Sequence, residues 1–222
     1  MEKVKNALIF RDLNAEEIEC RISTVSEKGL SLLLYKDARC DMNILDETVG
    51  SFNWQRSHSR ENANCVVSIW DAEKGAWIAK EDTGTESNTE AAKGLASDSF
   101  KRACFNWGIG RELYTAPFIW ISKDDCNIKQ RSDGKYMSYD KFEVRGIEIK
   151  NKRITGLVIY NRNTKKVVYQ YGQVETPRDK LKKFIQENGL DEVAICKACG
   201  LSAASVGSDF LEALEYARGL VS

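Results

Sequence analysis

Asn64-Cys-Val-Val-Ser-Ile-Trp70, Asp71-Ala-Glu-Lys-Gly75, Ala76-Trp-Ile-Ala79 and the run from residue 88 to Trp107 decide how this chain is read. The first and third stretches are short, apolar and rich in β-branched and aromatic residues, which is strand composition. Asp71 to Gly75 between them reads as a hairpin turn. Phe52 to His58 reads as one more strand just before, so three consecutive strands form a meander. Ala92, Leu95, Ala96, Phe100, Ala103, Cys104 and Trp107 then recur at helical spacing and make one apolar helix face. Ser87 and Glu90 predict a capping box at its start. Gly108 and Gly110 predict its end.

Working outward, residues 1–13 are mixed and are expected to be frayed or lightly docked. Ile18 to Val25 alternates as a strand does, and the apolar run Leu30 to Tyr35 suits a buried strand or the first turns of a helix. Ala38, Met42, Leu45 and Val49 fall at helical spacing, with Gly50 as the stop. Pro117 to Ile121 reads as a short strand. Residues 123–140 are polar, with a turn at Ser132-Asp-Gly134. Phe142 to Ile149, Arg153 to Tyr160 and Lys166 to Tyr171 form a second set of strands, with turn signals at Asn151 and Asn161-Arg-Asn163. Beyond Thr176-Pro177 the pattern is wholly helical, around Phe184, Ile185, Val193 to Leu201 and Phe210 to Leu220. The expected plan is α+β: one domain over 1–173 and a small helical domain over 177–222.

Composition narrows the classes. The chain has 222 residues, 42% hydrophobic and 30% charged, enough to bury a sizeable core. Fifteen Gly and two Pro exclude a collagenous or low-complexity chain. The apolar runs are too short for a membrane span, and the first residues do not read as a secretory signal, so a cytoplasmic protein is expected. Seven scattered Cys suit reduced thiols, and Cys196-x-x-Cys199, without a second pair, reads as structural rather than metal-binding. Thirty-three basic residues balance thirty-three acidic ones, but the balance is uneven. Residues 123–173 hold twelve Lys/Arg against six Asp/Glu, as in a protein that binds a nucleic-acid backbone. Tyr136, Tyr139, Phe142, Tyr160, Tyr169 and Tyr171 are interleaved there, and suit base stacking and cross-strand packing equally. On the 88–107 helix, Lys93, Ser97 and Lys101 follow at i+4 with Arg102 beside them, opposite Leu95 and Phe100.

Enzyme signatures are sparse. The sequence has no phosphate-binding GxxxxGK[ST], no GxGxxG, no HExxH and no GxSxG. His58 is the single histidine, in a Ser-His-Ser setting that reads as surface. The remaining catalytic route is a Mg-dependent nuclease built on Glu81, Asp82 and Asp98. Against it, Glu81 and Asp82 are adjacent at a strand end and point to opposite faces.

The runs Lys80-Glu-Asp-Thr-Gly84, Glu90-Ala-Ala-Lys-Gly94 and Ala96-Ser-Asp-Ser-Phe-Lys-Arg-Ala103 resemble the heart of the Rad-fifty-two-type single-strand annealing proteins of recombination and double-strand-break repair. Tyr35-Lys-Asp-Ala-Arg39 through Val49-Gly-Ser-Phe-Asn-Trp54 resembles their first helix and its lead into the first strand. Gly84-Thr-Glu-Ser-Asn88 and Trp107-Gly-Ile-Gly-Arg-Glu-Leu-Tyr114 are similar to the phage and bacterial branch, so the likeness spans residues 15–121. The resemblance implies a β-β-β-α annealing core, a homo-oligomeric ring or filament, and single-stranded DNA held backbone-inward in a basic groove. It implies annealing of complementary strands without ATP, a cofactor or catalysis. By the motif match, Lys101 and Arg102 fall on the DNA-contacting pair, and Arg39 and Lys93 on further basic positions. Asp98, one turn before Arg102, is expected to orient its guanidinium. Trp54 suits the core better than a base-stacking role. Residues 123–222 lie outside the motif match. Acidic residues slightly outnumber basic ones in 177–222, so that segment is expected to dock a recombination or replication protein, or to cap the sheet.

Overall fold

A computed structural model describes residues 8–85, 91–202 and 205–221, with side chains from Gly94 onward in the helix that begins at Ala91. In chain order the elements are β1 (Ile18–Ser26), β2 (Gly29–Lys36), α1 (Ala38–Val49), β3 (Trp54–Ser59), β4 (Asn64–Asp71), β5 (Ala76–Thr83) and α2 (Ala91–Trp107). Then come β6 (Ile119–Ser122), β7 (Lys129–Gln130), β8 (Tyr136–Met137), β9 (Phe142–Lys150), β10 (Arg153–Asn161) and β11 (Lys166–Tyr171). The last three are α3 (Pro177–Glu187), α4 (Glu192–Ala198) and α5 (Gly207–Gly219). This is an α+β chain with antiparallel sheets. No helix among the described residues is long and apolar enough to cross a membrane. The Ser87–Glu90 capping box lies outside the described residues.

The chain divides into two compact units. The first joins the stretch ending at Leu13 to Lys36–Tyr114. Its sheet has the order β3-β4-β5, paired Trp54↔Ile69↔Ile78, Arg56↔Val67↔Lys80 and His58↔Cys65↔Asp82. That set of side chains lies under α2, because strand residues alternate faces and the helix buries Leu95, Phe100, Ala103 and Cys104 along one side. Trp54 stacks on Phe100 with ring centroids 6.1 Å apart and gives its indole N–H to Asp46, which seats it in the packing rather than toward solvent. Trp107 donates to the Val67 carbonyl across the same interface. Phe10 and Leu13 are buried, each 3% exposed, and the Leu13 N–H is held by Glu112. The segment expected to fray is therefore anchored from Phe10 on. In sequence, two apolar residues amid polar neighbours carry no periodicity to announce this.

The second unit joins Asn14–Tyr35 to the chain from Thr115 on. Its six-stranded sheet has the order β11-β10-β9-β1-β2-β6. The sheet curls until its two end strands meet, and the Tyr169 hydroxyl of β11 donates to the Phe118 carbonyl at the approach to β6. Leu30 to Tyr35 is thus a strand, whose Leu30 and Leu32 are buried. Asn151 and Lys152 turn between β9 and β10 with φ of 53° and 59°, the left-handed pair of a tight hairpin. Helices α3–α5 close over their own apolar cluster of Leu181, Ile185, Ile195, Ala213, Leu214 and Ala217. Thr176 and Asp179 form a capping box at the start of α3, and Glu16 accepts the Ser208 N–H in the first turn of α5.

Candidate nucleic-acid interface

In the first unit, α1 begins at Asp37, whose carboxylate caps the helix by accepting the Arg39 N–H at 2.7 Å. The Arg39 guanidinium folds back on the same carboxylate, 2.7 Å away, yet the side chain is 84% exposed. Those Arg39 bonds hold the Asp37 carboxyl below its usual range, and the positive charge of Lys101 adds to the effect. The charge of Lys101 also acts to lower the Asp41 carboxyl, against its burial. So the charges of Arg39 on α1 and Lys101 on α2 both act on the Asp37 carboxylate. Lys101 is half-buried.

Arg102 lies about 100° around α2 from Lys101. Its Nε is 3.4 Å from Asp82 on β5, and the side chain is 43% exposed. Asp82 also accepts from the Asn106 amide at 3.3 Å. The expected i, i+4 pair between Asp98 and Arg102 does not form. Asp98 accepts the Thr85 N–H at 2.9 Å and its hydroxyl at 3.3 Å. The cause is the route of the chain off β5. Gly84 passes so close to α2 that a Cβ there would stand 2.5 Å from the Ser99 nitrogen. This approach delivers Thr85 to Asp98 and leaves Asp82, on the helix-facing side of β5, for Arg102. The need for glycine at this position is therefore one of space. Lys93 lies within α2, and its side chain is outside the described residues.

One face of α2 thus carries the exposed Arg102 beside the half-buried Ser97, Asp98, Lys101 and, one turn on, Phe105. The cations are not bare, since Arg39 and Arg102 each have a carboxylate partner. Exposed pairs of this kind contribute only about 0–1 kcal/mol, so an incoming phosphate competes with them at little cost. Beyond the helix, Arg111 donates to the Phe105 and Asn106 carbonyls at 2.8 and 2.9 Å, and Lys80 donates to the Asn106 carbonyl at 2.9 Å. Both cations sit on the negative end of the helix dipole. Arg111 covers Phe105, with the guanidinium carbon 5.5 Å from the ring centre, and Tyr114 packs on Phe105 at 4.7 Å. These three residues were not picked out from sequence. The i+4 step from Lys101 to Phe105 is the signal that leads to them.

The three carboxylates of the nuclease alternative are turned to different partners. Glu81 accepts from Asn64 at 2.6 Å on the sheet face away from α2, Asp82 faces Arg102, and Asp98 faces Thr85. His58 is half-buried rather than fully at the surface. Desolvation first, then the charge of Arg56, lowers its pKa.

In the second unit, several cations of the 123–173 stretch have acidic partners. Arg145 and Arg162 share Glu143, and Lys150 meets Glu148. Of the interleaved aromatics, Phe142 is buried, Tyr160 lies under the Arg145 guanidinium at 3.4 Å, and Tyr169 is tied to Phe118. Tyr139 and Tyr171 are exposed. Cys199 packs against the α3–α5 cluster, and Cys196 is half-buried. Among the described residues no group of three or more His, Cys, Asp or Glu is arranged to hold a metal ion.

No protein-family model, no curated protein and no solved structure matches the chain.

Proposed function

We propose that the chain binds single-stranded DNA and anneals complementary strands without ATP, in homologous recombination or DNA repair. The observation that carries this reading is the shared face of α1 and α2. Arg39 on α1 is paired with Asp37, the positive charge of Lys101 on α2 acts on the same carboxylate, and the exposed Arg102 follows Lys101 on α2, the helix that covers a three-stranded meander. Phosphates of one strand replace water and the exposed carboxylate partners at these cations, and released counterions supply the affinity. Once neutralised, the held strand repels a second strand less, and base pairing supplies the specificity. By the resemblance, the working form is a homo-oligomeric ring or filament, with α3–α5 as a docking module for a recombination or replication protein. The nuclease alternative has less support, because its carboxylates diverge.

The test is the salt dependence of binding to a single-stranded oligonucleotide in EDTA. Each phosphate contact contributes about 0.7 to the log–log slope for a single strand. Lys101→Ala with Arg102→Ala should flatten the slope by about 1.4 and weaken binding across sequences alike. An unchanged slope and affinity in the folded double variant would overturn the reading of this face.

A further inference from the structure

We propose that Tyr114, backed by Phe105 and Arg111, is a base-stacking platform for one unpaired base of the strand whose phosphates lie on Lys101 and Arg102. The proposal rests on the DNA-binding reading above and extends it from the backbone to a base. Tyr114 is 71% exposed, and among the described residues its one ring contact is with Phe105. Its inner side is braced by Phe105, the ring centroids 4.7 Å apart and the planes tilted by 56°. Phe105 in turn lies beneath Arg111, which two backbone carbonyls hold in place. A ring supported in this way loses little freedom when a base stacks on it.

Position selects a base over a phosphate. Phe105 follows Lys101 by one helical turn, so a strand lying on Lys101 and Arg102 comes next to this cluster. The cluster also sits at the C-terminus of α2, where the helix dipole is negative and disfavours a phosphate. Arg111 and Lys80 are already bonded to the carbonyls of that end. A neutral, flat base suits such a site, because stacking on an aromatic ring needs no charge and tolerates every sequence. Among the other exposed aromatic pairs, Trp70 with Trp77 sits beside a turn where Lys74 is paired with Asp71, and Phe118 with Trp120 lies in the other unit. Neither adjoins the α2 cations by sequence or by helix face.

The experiment measures binding of the full-length chain to two oligomers of equal length, oligo(dT) and its abasic sugar–phosphate counterpart, over a range of salt. The wild type should prefer oligo(dT). Tyr114→Ala should weaken oligo(dT) binding about 10-fold, leave abasic binding unchanged and keep the salt slope of the wild type. Tyr114→Phe should restore binding, because the ring and not the hydroxyl does the stacking. Phe105→Leu, which removes the brace, should give an intermediate loss. Equal binding of both oligomers by the wild type would overturn the proposal while leaving the phosphate reading standing. So would a Tyr114→Ala loss shared by both oligomers, or no loss at all. Absence of binding to either oligomer by folded wild type would overturn the DNA-binding reading, and this proposal with it.

Discussion

Lys36 and Asp41 form an ion pair in the first unit with 7% and 0% of their side chains exposed, which makes it the most consequential charge contact near the candidate interface. Its burial is tight, because the Lys36 stem fills the space that a side chain at Gly110 would need. Burial pushes the Asp41 carboxyl up to about 6, against the opposing pull of Lys36 and Lys101. Removing one partner leaves the other charge buried and alone, so Lys36→Met or Asp41→Leu should each cost about 3–5 kcal/mol at pH 7. For a chain of this size that is a drop of about 10 °C in the midpoint of thermal unfolding. Removing both leaves no orphan charge, so the double variant should return to within about 1–2 kcal/mol of wild type. Asp41 also fixes a sign with pH. Its folded pKa lies above its unfolded value, so the folded state binds the extra proton. The stability linked to that extra proton is fully present below pH 3.8 and is lost as pH rises through about 6. The advantage of wild type over Asp41→Asn should therefore shrink as pH rises across that window. Urea unfolding of the four proteins of the cycle and of Asp41→Asn, at several pH values, reads both effects. Single-variant costs that simply add in the double variant would refute the buried-pair account, and so would an advantage that grows with pH.

Two further outcomes follow from the α2 surroundings. Gly84→Ala places a Cβ 2.5 Å from the Ser99 backbone and should destabilise by about 1–3 kcal/mol in urea unfolding, and a neutral result would show that α2 is free to move off β5. Asp82→Asn removes the acidic partner of Arg102 and should tighten single-stranded DNA binding by about threefold at low salt, the scale of one exposed pair, whereas weaker binding would mean that Asp82 holds Arg102 in its working position.

The first unit was largely legible because its signals are local. Val66 to Trp70 and Ala76 to Ala79 announce strands, and the turn between them is five residues of turn composition. β5 runs on to Thr83, with Lys80, Glu81 and Asp82 continuing the alternation of faces in polar residues, in keeping with the reading of Glu81 and Asp82 as a strand end. In the second unit β1, β6, β9, β10 and β11 were legible as strands, whereas the β2 run suits the start of a helix as well, the two-residue β7 and β8 carry no apolar pattern, and the sheet itself was not legible. β1 pairs with β9, with Glu19 opposite Glu143, and no periodicity names a partner that far along the chain. The same limit decided the pairing of Arg102. Helical spacing points to Asp98, but the choice falls to Asp82 because β5 runs alongside, a fact of tertiary packing. Lys101 could be placed on a polar stripe from spacing, whereas the reach of its charge to Asp37 depends on how α1 lies against α2.

The measurement that bears most directly on the whole account is annealing itself. Two complementary oligonucleotides are mixed in EDTA without ATP, and duplex formation is followed with wild type and with the Lys101→Ala/Arg102→Ala double variant. The account predicts that wild type accelerates pairing and that the folded double variant loses the acceleration. No acceleration by folded wild type, or equal acceleration by both proteins, would contradict it.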